Sequence, residues 1–308
     1  MAILHRKDTA RHRIAAVGMY DGVHVGHRFL IDFLYAQGVE LGLVPTVVTF
    51  AEHPLSVVAP ERAPKLLVTP DRRMELLDQT LARDVIVLNF NRRMSRMSAR
   101  SFLKMLHDKW CVDAMVIGFN NRFGRDRAEG LEAYRKIGDD IGVKIISAPE
   151  MQLGNTHVSS SVIRGYVADG RMREASDALA HNYTLTGTVV HGQELGRRIG
   201  FPTANIMVED ERLLVPGQGV YAAWAVTPDG QRHMAMVNIG FRPTVSEGQE
   251  PVQTIEVHIL DYQGYLYDDV IQIEFMDRLR GEQKFASPEE LSLQLKRDER
   301  KVRDFLSV

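Results

Sequence analysis

Two stretches of this chain hold residue types whose spacing suits phosphate chemistry. The first is Gly18-Met19-Tyr20-Asp21-Gly22-Val23-His24-Val25-Gly26-His27. Two imidazoles flank a glycine that lets backbone approach closely, where a short apolar run gives way to a helical pattern. Ring N–H groups and the orphan amides of a helix start can together grip phosphate oxygens. Metal ligation is a rival chemistry, but it calls for a third ligand and the neighbouring sequence offers none. Two histidines satisfied within a turn are the bland alternative. Downstream, Ser159-Ser160-Ser161-Val162-Ile163-Arg164 puts hydroxyls and an arginine at another helix start. That is a second anion clamp, of the kind the far side of a triphosphate needs.

The second stretch is Gly192-Gln193-Glu194-Leu195-Gly196-Arg197-Arg198-Ile199-Gly200-Phe201-Pro202-Thr203-Ala204-Asn205. It lacks the Gly-Lys-Ser/Thr of a Walker loop. Its glycines permit a tight backbone arch, and Thr203 and Asn205 offer neutral oxygens that suit Mg²⁺ alongside phosphates and waters. A Gly/Pro-rich loop carrying these residues by chance is the plain alternative. Further on, Thr254, Glu256 and His258 alternate with Ile255, Val257 and Ile259, which sets Glu256 on the polar face of a half-buried strand. A general base needs such access to a substrate hydroxyl. For a lone glutamate the default is a solvated strand face.

The elements that must present these residues differ between the halves. In the first, apolar runs of strand length at Ile14–Val17, Val44–Phe50, Val85–Phe90, Val112–Ile117 and Val143–Ile146 alternate with helical stretches at Phe29–Leu41, Asp71–Leu81, Ser98–Asp108 and Leu131–Ile137. Buried strands separated by helices imply βαβ units and a parallel sheet, with ligands at the C-terminal ends of the strands. A helix over Ser159–Ala180 closes this half. From Tyr183 the rhythm changes to short strands between Gly, Pro and Asp turns: Thr184–Val190, Val220–Val226, Met234–Val237, Gln253–Leu260 and Val270–Phe275. A last helix opens with Ser287 as cap, Pro288 at its first position and Glu290 completing a capping box, with Leu291, Leu295, Val302 and Phe305 as its core stripe. A β-barrel covered by a terminal helix follows.

The totals fit this division. A chain of 308 residues accommodates two domains, and 25% charged with 44% apolar residues is ordinary for a folded soluble protein. A net charge of −2 without like-charge blocks gives no support for a nucleic-acid or membrane-surface role. Arg92, Arg93, Arg96 and Arg100 form a basic cluster, but no aromatic platform accompanies it, so a solvated helix face is favoured over RNA binding. The single cysteine, Cys111, excludes an internal disulfide. With no signal-like or membrane-length apolar run, a cytoplasmic protein is expected.

The His-x-Gly-His loop with its late Ser-Ser-x-x-Ile-Arg resembles the nucleotidylyltransferases. Thr49-Phe50, His53-Pro54, Gly118, Arg122-Phe123-Gly124 and Arg127 narrow the likeness to the FAD synthetase module of bacterial bifunctional riboflavin kinase/FAD synthetases. The second half resembles riboflavin kinases through Gly196–Asn205, Gly219-Val220-Tyr221, Asn238-Ile239-Gly240, Arg242-Pro243-Thr244, Glu256-Val257-His258, Leu279-Arg280, Glu282 and Phe285. Departures are Met19 for a common Asn, Ala51-Glu52 for Glu-Pro, Asn120 for a frequent Asp and an extra residue in Ala128-Glu129-Gly130. Asn120 removes a negative charge that bears on flavin or adenine affinity. At the junction Leu179-Ala180-His181-Asn182-Tyr183 replaces Leu-Gly-Arg-x-Tyr.

The resemblance implies a Rossmann-like α/β FAD synthetase (FMN adenylyltransferase) domain over residues 1–181. An all-β barrel riboflavin kinase domain with a C-terminal helix would then cover 182–308. Riboflavin and ATP would give FMN, and FMN with a second ATP would give FAD and pyrophosphate, with Mg²⁺ and with apo-flavoproteins as acceptors. His24, His27 and Arg164 would serve adenylyl transfer, with Gly18, Asp21, Gly22, Gly26, Ser159 and Ser160 holding ATP and Asn120, Arg122, Phe123 and Arg127 the flavin. Glu256 would be the kinase base, Thr203 and Asn205 the metal ligands, and Gly196, Gly200, Pro202, Asn238, Arg242, Thr244, Arg280 and Phe285 the flavin and ATP contacts. Two rivals stay open at this stage: a riboflavin kinase whose first half is a flavin or nucleotide sensor, and a non-catalytic flavin carrier.

Overall fold

Six short strands build the core of the first half: β1 (Ala2–Leu4), β2 (Arg13–Val17), β3 (Val44–Phe50), β4 (Asp84–Leu88), β5 (Val112–Ile117) and β6 (Lys144–Ser147). The computed structural model describes residues 1–118, 123–126, 130–151, 158–192, 196, 199–208, 210–242 and 252–307, with backbone alone at 242 and 252. The strands pair in the order β1-β4-β3-β2-β5-β6, and every pairing is parallel. All five residues of β2 are buried because helices cover both faces of the sheet. Ala15 and Val17 join the cluster built by Leu103 and Leu106, whereas Ile14 and Ala16 face Leu34 on the other side. The helices are α1 (Val25–Leu41), α2 (Pro54–Val58), α3 (Pro70–Asp78), α4 (Ala99–Trp110) and α5 (Gly130–Ile141).

The chain walks outward from β2 through β3 to β4, then returns to β5 on the other side of β2. Strand order therefore reverses at the C-terminal ends of β2 and β5, the usual ligand position in an open parallel sheet. The loop Gly18–His24 leaves β2 there. At the opposite, N-terminal ends of the strands Arg13, fully buried, pairs through Nε with buried Asp84 at 3.0 Å and through Nη2 with Asp8 at 2.5 Å.

By contacts the chain divides into two compact units, Met1–Ser159 and Ser160–Val308. The second begins with α6 (Ser160–Ala168) and α7 (Met172–Leu179). Its barrel strands are β7 (Tyr183–Val190), β8 (Ala204–Val208), β9 (Gly219–Val226), β10 (Arg232–Arg242), β11 (Val252–Ile259) and β12 (Val270–Arg280). They close in the order β10-β11-β8-β7-β12-β9, antiparallel throughout. Val237, Ile239, Ile255, Val257, Ile273 and Phe275 fill it. The terminal helix α8 (Pro288–Leu306) is capped by Ser287, whose hydroxyl accepts from the Glu290 amide at 3.3 Å.

The α/β sheet, the barrel and the terminal helix match the expected architecture. Three details differ. β1 and β8 have no periodic signature, being three residues in a charged terminus and five at the end of a Gly/Pro loop. The helix expected over Ser159–Ala180 is two, broken where Gly170 takes φ 74°. That pair also does not close the first half: it falls in the second compact unit, where α7 packs on β7 and β12.

Candidate functional site

His24 is the N-cap of α1: its Nδ1 accepts from the His27 amide at 3.3 Å. With Nδ1 engaged as an acceptor, the neutral ring carries its proton on Nε2. The rings of His24 and His27 stack with centroids 3.6 Å apart, and Tyr20 leans on His27 at 5.0 Å. Burial, and then the neighbouring His24, push the His27 imidazole well below the ordinary histidine range. Its Nδ1 is enclosed without a hydrogen-bond partner among the described residues. A neutral ring with an unsatisfied nitrogen next to orphan helix amides is suited to receiving an anionic oxygen. Gly26 packs on the His24 ring, which an added Cβ would approach to 3.2 Å.

Asp21 lies in this loop, but its carboxylate accepts from the backbone amides of Leu67 (3.0 and 3.1 Å) and Val68 (3.3 Å). Gly18 donates its amide to Val48. Ser160 and Arg164 stand four residues apart on α6 and so share a face of that helix, with Ser159 just before it. Phe123 packs against Phe102 and Tyr134. Asn120, Arg122, Arg127 and Thr244 lie outside the described residues, as does the side chain of Arg242.

In the second unit the barrel register assembles the other site. Arg280 lies opposite Val220, Val220 opposite Asn238, Asn238 opposite Glu256 and Glu256 opposite Asn205. Lateral neighbours share a face, so these residues form one row across β12, β9, β10, β11 and β8. Since Ile255 and Val257 point into the barrel, Glu256 and Asn238 project outward. There α8 covers them: Leu295 and Phe305 pack with Val220 and Met236 over buried Val302. A cavity of about 270 Å³ remains between row and helix, with Thr203, Asn238, Glu256, His258, Arg280 and Glu282 as its polar wall. Ile199, Phe285, Leu291 and Leu295 are among its apolar lining.

Thr203 also borders a second cavity of about 410 Å³, walled by Tyr262, Tyr265 and Tyr267. The loop that carries it is an arch whose Phe201 amide donates to the Gly196 carbonyl at 2.8 Å. A Cβ on Gly196 would fall 2.2 Å from the Phe201 carbonyl oxygen, so the arch requires glycine. His258 fixes the other end, its Nδ1 donating to the Pro202 carbonyl at 2.8 Å. Gly200 takes φ 84° within the arch. Arg280 reaches α8, where Nε bonds buried Asp298 at 2.8 Å, and its guanidinium lies 5.7 Å from the Phe285 ring.

Sequence reasoning placed Glu256, Thr203, Asn205, Asn238, Arg280 and Phe285 in one site, and the barrel brings them together around the row and its cavity. It gave no site role to His258, Glu282, Asp298 or the tyrosine wall. His258 and Glu282 stood inside quoted motifs, and Tyr262, Tyr265 and Tyr267 are spaced closely enough to have signalled an aromatic wall.

The FAD synthetase family model matches residues 6–162, and the riboflavin kinase model matches residues 179–306. The bifunctional riboflavin kinase/FMN adenylyltransferase of Escherichia coli K12 is 34% identical over 96% of this chain and 93% of its own. The enzyme of that description from Pseudomonas fluorescens is 35% identical over 92% and 90%, and that from Bacillus subtilis 31% over 98% and 95%. The crystal structure of a macrolide-efflux protein from Streptococcus pneumoniae superposes with a TM-score of 0.88 at 27% identity, over 98% of each chain. Among the described residues no helix is long and apolar enough to cross a membrane. Both halves match in the order and over the length of the two-domain relatives, and the chain belongs to the bifunctional riboflavin kinase/FMN adenylyltransferase family.

Proposed function

We propose that the two halves act in succession on one flavin, residues 182–308 as the kinase and residues 1–181 as the adenylyltransferase. Riboflavin and ATP give FMN and ADP; FMN and a second ATP give FAD and pyrophosphate. Neither the sensor nor the carrier reading is favoured by any feature of the two sites. The observation that carries the assignment is the row Arg280–Val220–Asn238–Glu256–Asn205, which sets one carboxylate on the wall of the smaller cavity, whose Thr203 also borders the larger one.

In the kinase half the smaller cavity, apolar on its α8 side, takes the flavin, with Arg280 and Phe285 as its rim. The tyrosine-walled cavity takes the adenine end of ATP. Glu256 removes the proton from the riboflavin 5′-hydroxyl as its oxygen attacks the γ-phosphorus and ADP leaves. The neutral oxygens of Thr203 and Asn205 suit Mg²⁺, which when bound offsets phosphate charge. The arch from Gly196 through Gly200 and Pro202 holds the phosphates, with Asn238 beside Glu256 and with Arg242 and Thr244 as further contacts.

In the adenylyltransferase half no protein nucleophile is needed, because the FMN phosphate attacks the α-phosphorus and pyrophosphate departs. His24 donates from Nε2, His27 offers its enclosed nitrogen, and Arg164 neutralises charge as it develops. Gly18, Gly22, Gly26, Ser159 and Ser160 hold the triphosphate, and Asn120, Arg122, Phe123 and Arg127 the flavin. Asp21 contributes by fixing the loop. An ATP-rich, reducing cytoplasm with apo-flavoproteins as acceptors completes the reading; Cys111 is a free thiol.

The test is a chromatographic time course with riboflavin, ATP and Mg²⁺, in which FMN rises first and FAD follows. Glu256→Ala should abolish FMN formation while FMN supplied directly still becomes FAD. His27→Ala should stop the sequence at FMN, lowering adenylyl transfer about 100-fold, as the loss of one oriented donor does. Equal damage to both reactions by either variant, with the fold intact, would refute separate sites.

A further inference from the structure

The loop that presents His24 is strained. Tyr20 sits at φ 52°, Gly22 at 81° and Val23 at 40°, and the side chains of Tyr20 and Val23 are fully buried. Tyrosine and a β-branched residue persist in that region only where their surroundings over-determine it. We propose that Arg73 of α3 is what fastens this loop, and that it is a positioning residue for His24 and His27 in adenylyl transfer.

Arg73 is 5% exposed. Its Nη1 donates to the Met19 carbonyl at 3.1 Å and its Nη2 to the Phe50 carbonyl at 2.7 Å. Met19 follows β2 by two residues and Phe50 ends β3, so one planar fork bridges the C-terminal ends of two adjacent strands. The Met19 oxygen also accepts from Thr49 Oγ1 at 3.2 Å, which occupies both of its lone pairs. From there the strain passes along bonded contacts. The Tyr20 hydroxyl donates to the Ala16 carbonyl at 3.1 Å, and the Tyr20 carbonyl accepts from the Val23 amide at 3.1 Å. His24 is the next residue.

Charge supports the same role. Burial disfavours the Arg73 cation, and the nearby Asp21 carboxylate, 2% exposed, partly restores it. Asp21 in turn holds the amides of Leu67 and Val68, just before α3. Arg73 and Asp21 thus pull on consecutive parts of the loop, and neither can be removed without leaving the other's buried charge poorly matched. A lysine keeps the charge but cannot span two carbonyls as a rigid fork.

The measurement is FAD formation from FMN and ATP by full-length Arg73→Met and Arg73→Lys, with riboflavin phosphorylation by the same preparations as the concentration check. Arg73→Met should lower kcat for adenylyl transfer about 100-fold and Arg73→Lys about 10-fold, the scale of loss when reacting groups are misplaced by an ångström. Kinase turnover should not change, and thermal melts should show both preparations folded at the assay temperature. Titration of the His27 ring by NMR supplies a readout that a stability defect would not move: in Arg73→Met it should protonate closer to the ordinary histidine range. Wild-type kcat for FAD formation in Arg73→Met would overturn the proposal. So would a loss confined to an unfolded fraction, with His27 of the folded fraction titrating as in the wild type. Where Arg73→Met does not fold, Thr49→Val replaces it. It deletes only the second donor to Met19, and a several-fold loss of kcat supports the proposal, whereas full activity in both Thr49→Val and Arg73→Lys overturns it. The inference rests on adenylyl transfer occurring at His24 and His27. That reading fails if His27→Ala makes FAD normally; the inference alone fails if His27→Ala is inactive and Arg73→Met is not.

Discussion

His27 shows how one residue ties chemistry to stability. Its folded-state pKa lies below the unfolded value, mainly through burial and secondly through His24. Above about pH 6.5 both states are neutral and the ring contributes nothing to pH dependence. Below it the unfolded chain takes up a proton that the folded chain does not, so stability falls as pH drops. The slope attributable to this one ring is up to about 1.4 kcal/mol per pH unit. His27→Gln should therefore gain stability relative to the wild type as the pH falls from 7.5 to 5.5; parallel melting curves across that range would show that the ring titrates normally. A second residue-scale expectation concerns the kinase arch. Gly196→Ala must displace the Phe201 carbonyl, and with it the Thr203 segment two residues on. Phosphorylation of riboflavin should fall about 100-fold while FMN is still adenylylated, which steady-state assays of the two steps separate.

At the scale of elements, α8 holds the kinase site from outside the barrel. Its sequence stripe of Leu291, Leu295, Val302 and Phe305 is found in place, with Val302 fully buried and Leu291 on the cavity wall. The same spacing of three and four residues runs through Asp298, which is fully buried and bonds both Arg280 and Gln294. An acid at such a position reads as surface, because burial without a partner would be prohibitive and the partner, Arg280, comes from a distant strand. Asp298→Asn should cost about 3 kcal/mol, since it leaves a largely buried guanidinium without its counter-charge. Calorimetry would measure that loss, and the KM for riboflavin should rise as Arg280 and Phe285 loosen at the rim, with FAD formation from FMN unchanged. The contrast with Glu256 explains what sequence can tell. Glu256 was legible because alternation fixes a strand's face locally, as did the His-x-Gly-His spacing for His24 and His27. Arg73, Asp298 and the Arg13–Asp84 pair were not, because each owes its role to a partner brought near only by the fold. β1 and β8 escaped for the same reason, since pairing with β4 and β11, not periodicity, makes them strands.

For the whole molecule, the helical pair α6–α7 decides how the two activities can be separated. Its sequence position before Tyr183 assigns it to the first half, and Ser160 and Arg164 on it are assigned to adenylyl transfer. Its contacts assign it to the barrel. Gly217 donates to the Val167 carbonyl at 3.2 Å, Arg278 to that of Asp169 at 3.3 Å, and Arg173 pairs with Asp277 at 2.5 Å while lying over the Phe305 ring. Met172 and Leu179 of α7 are fully buried. Burying two such side chains contributes about 3–6 kcal/mol, a large part of a domain's typical 5–15 kcal/mol. A fragment of residues 160–308 should therefore fold and phosphorylate riboflavin, whereas 182–308, which starts at the expected domain junction, should melt well below it. A fragment of residues 1–159 keeps His24 and His27 but lacks Arg164 and should make no FAD. Extending it to 181 restores Arg164 yet leaves Met172 and Leu179 without the strands that cover them, so it should gain little activity and aggregate more readily. Melting each fragment and assaying both steps tests this asymmetry: equal stability of 160–308 and 182–308 would mean that α7 is a passenger on the barrel, and that the junction near residue 181 is the physical one.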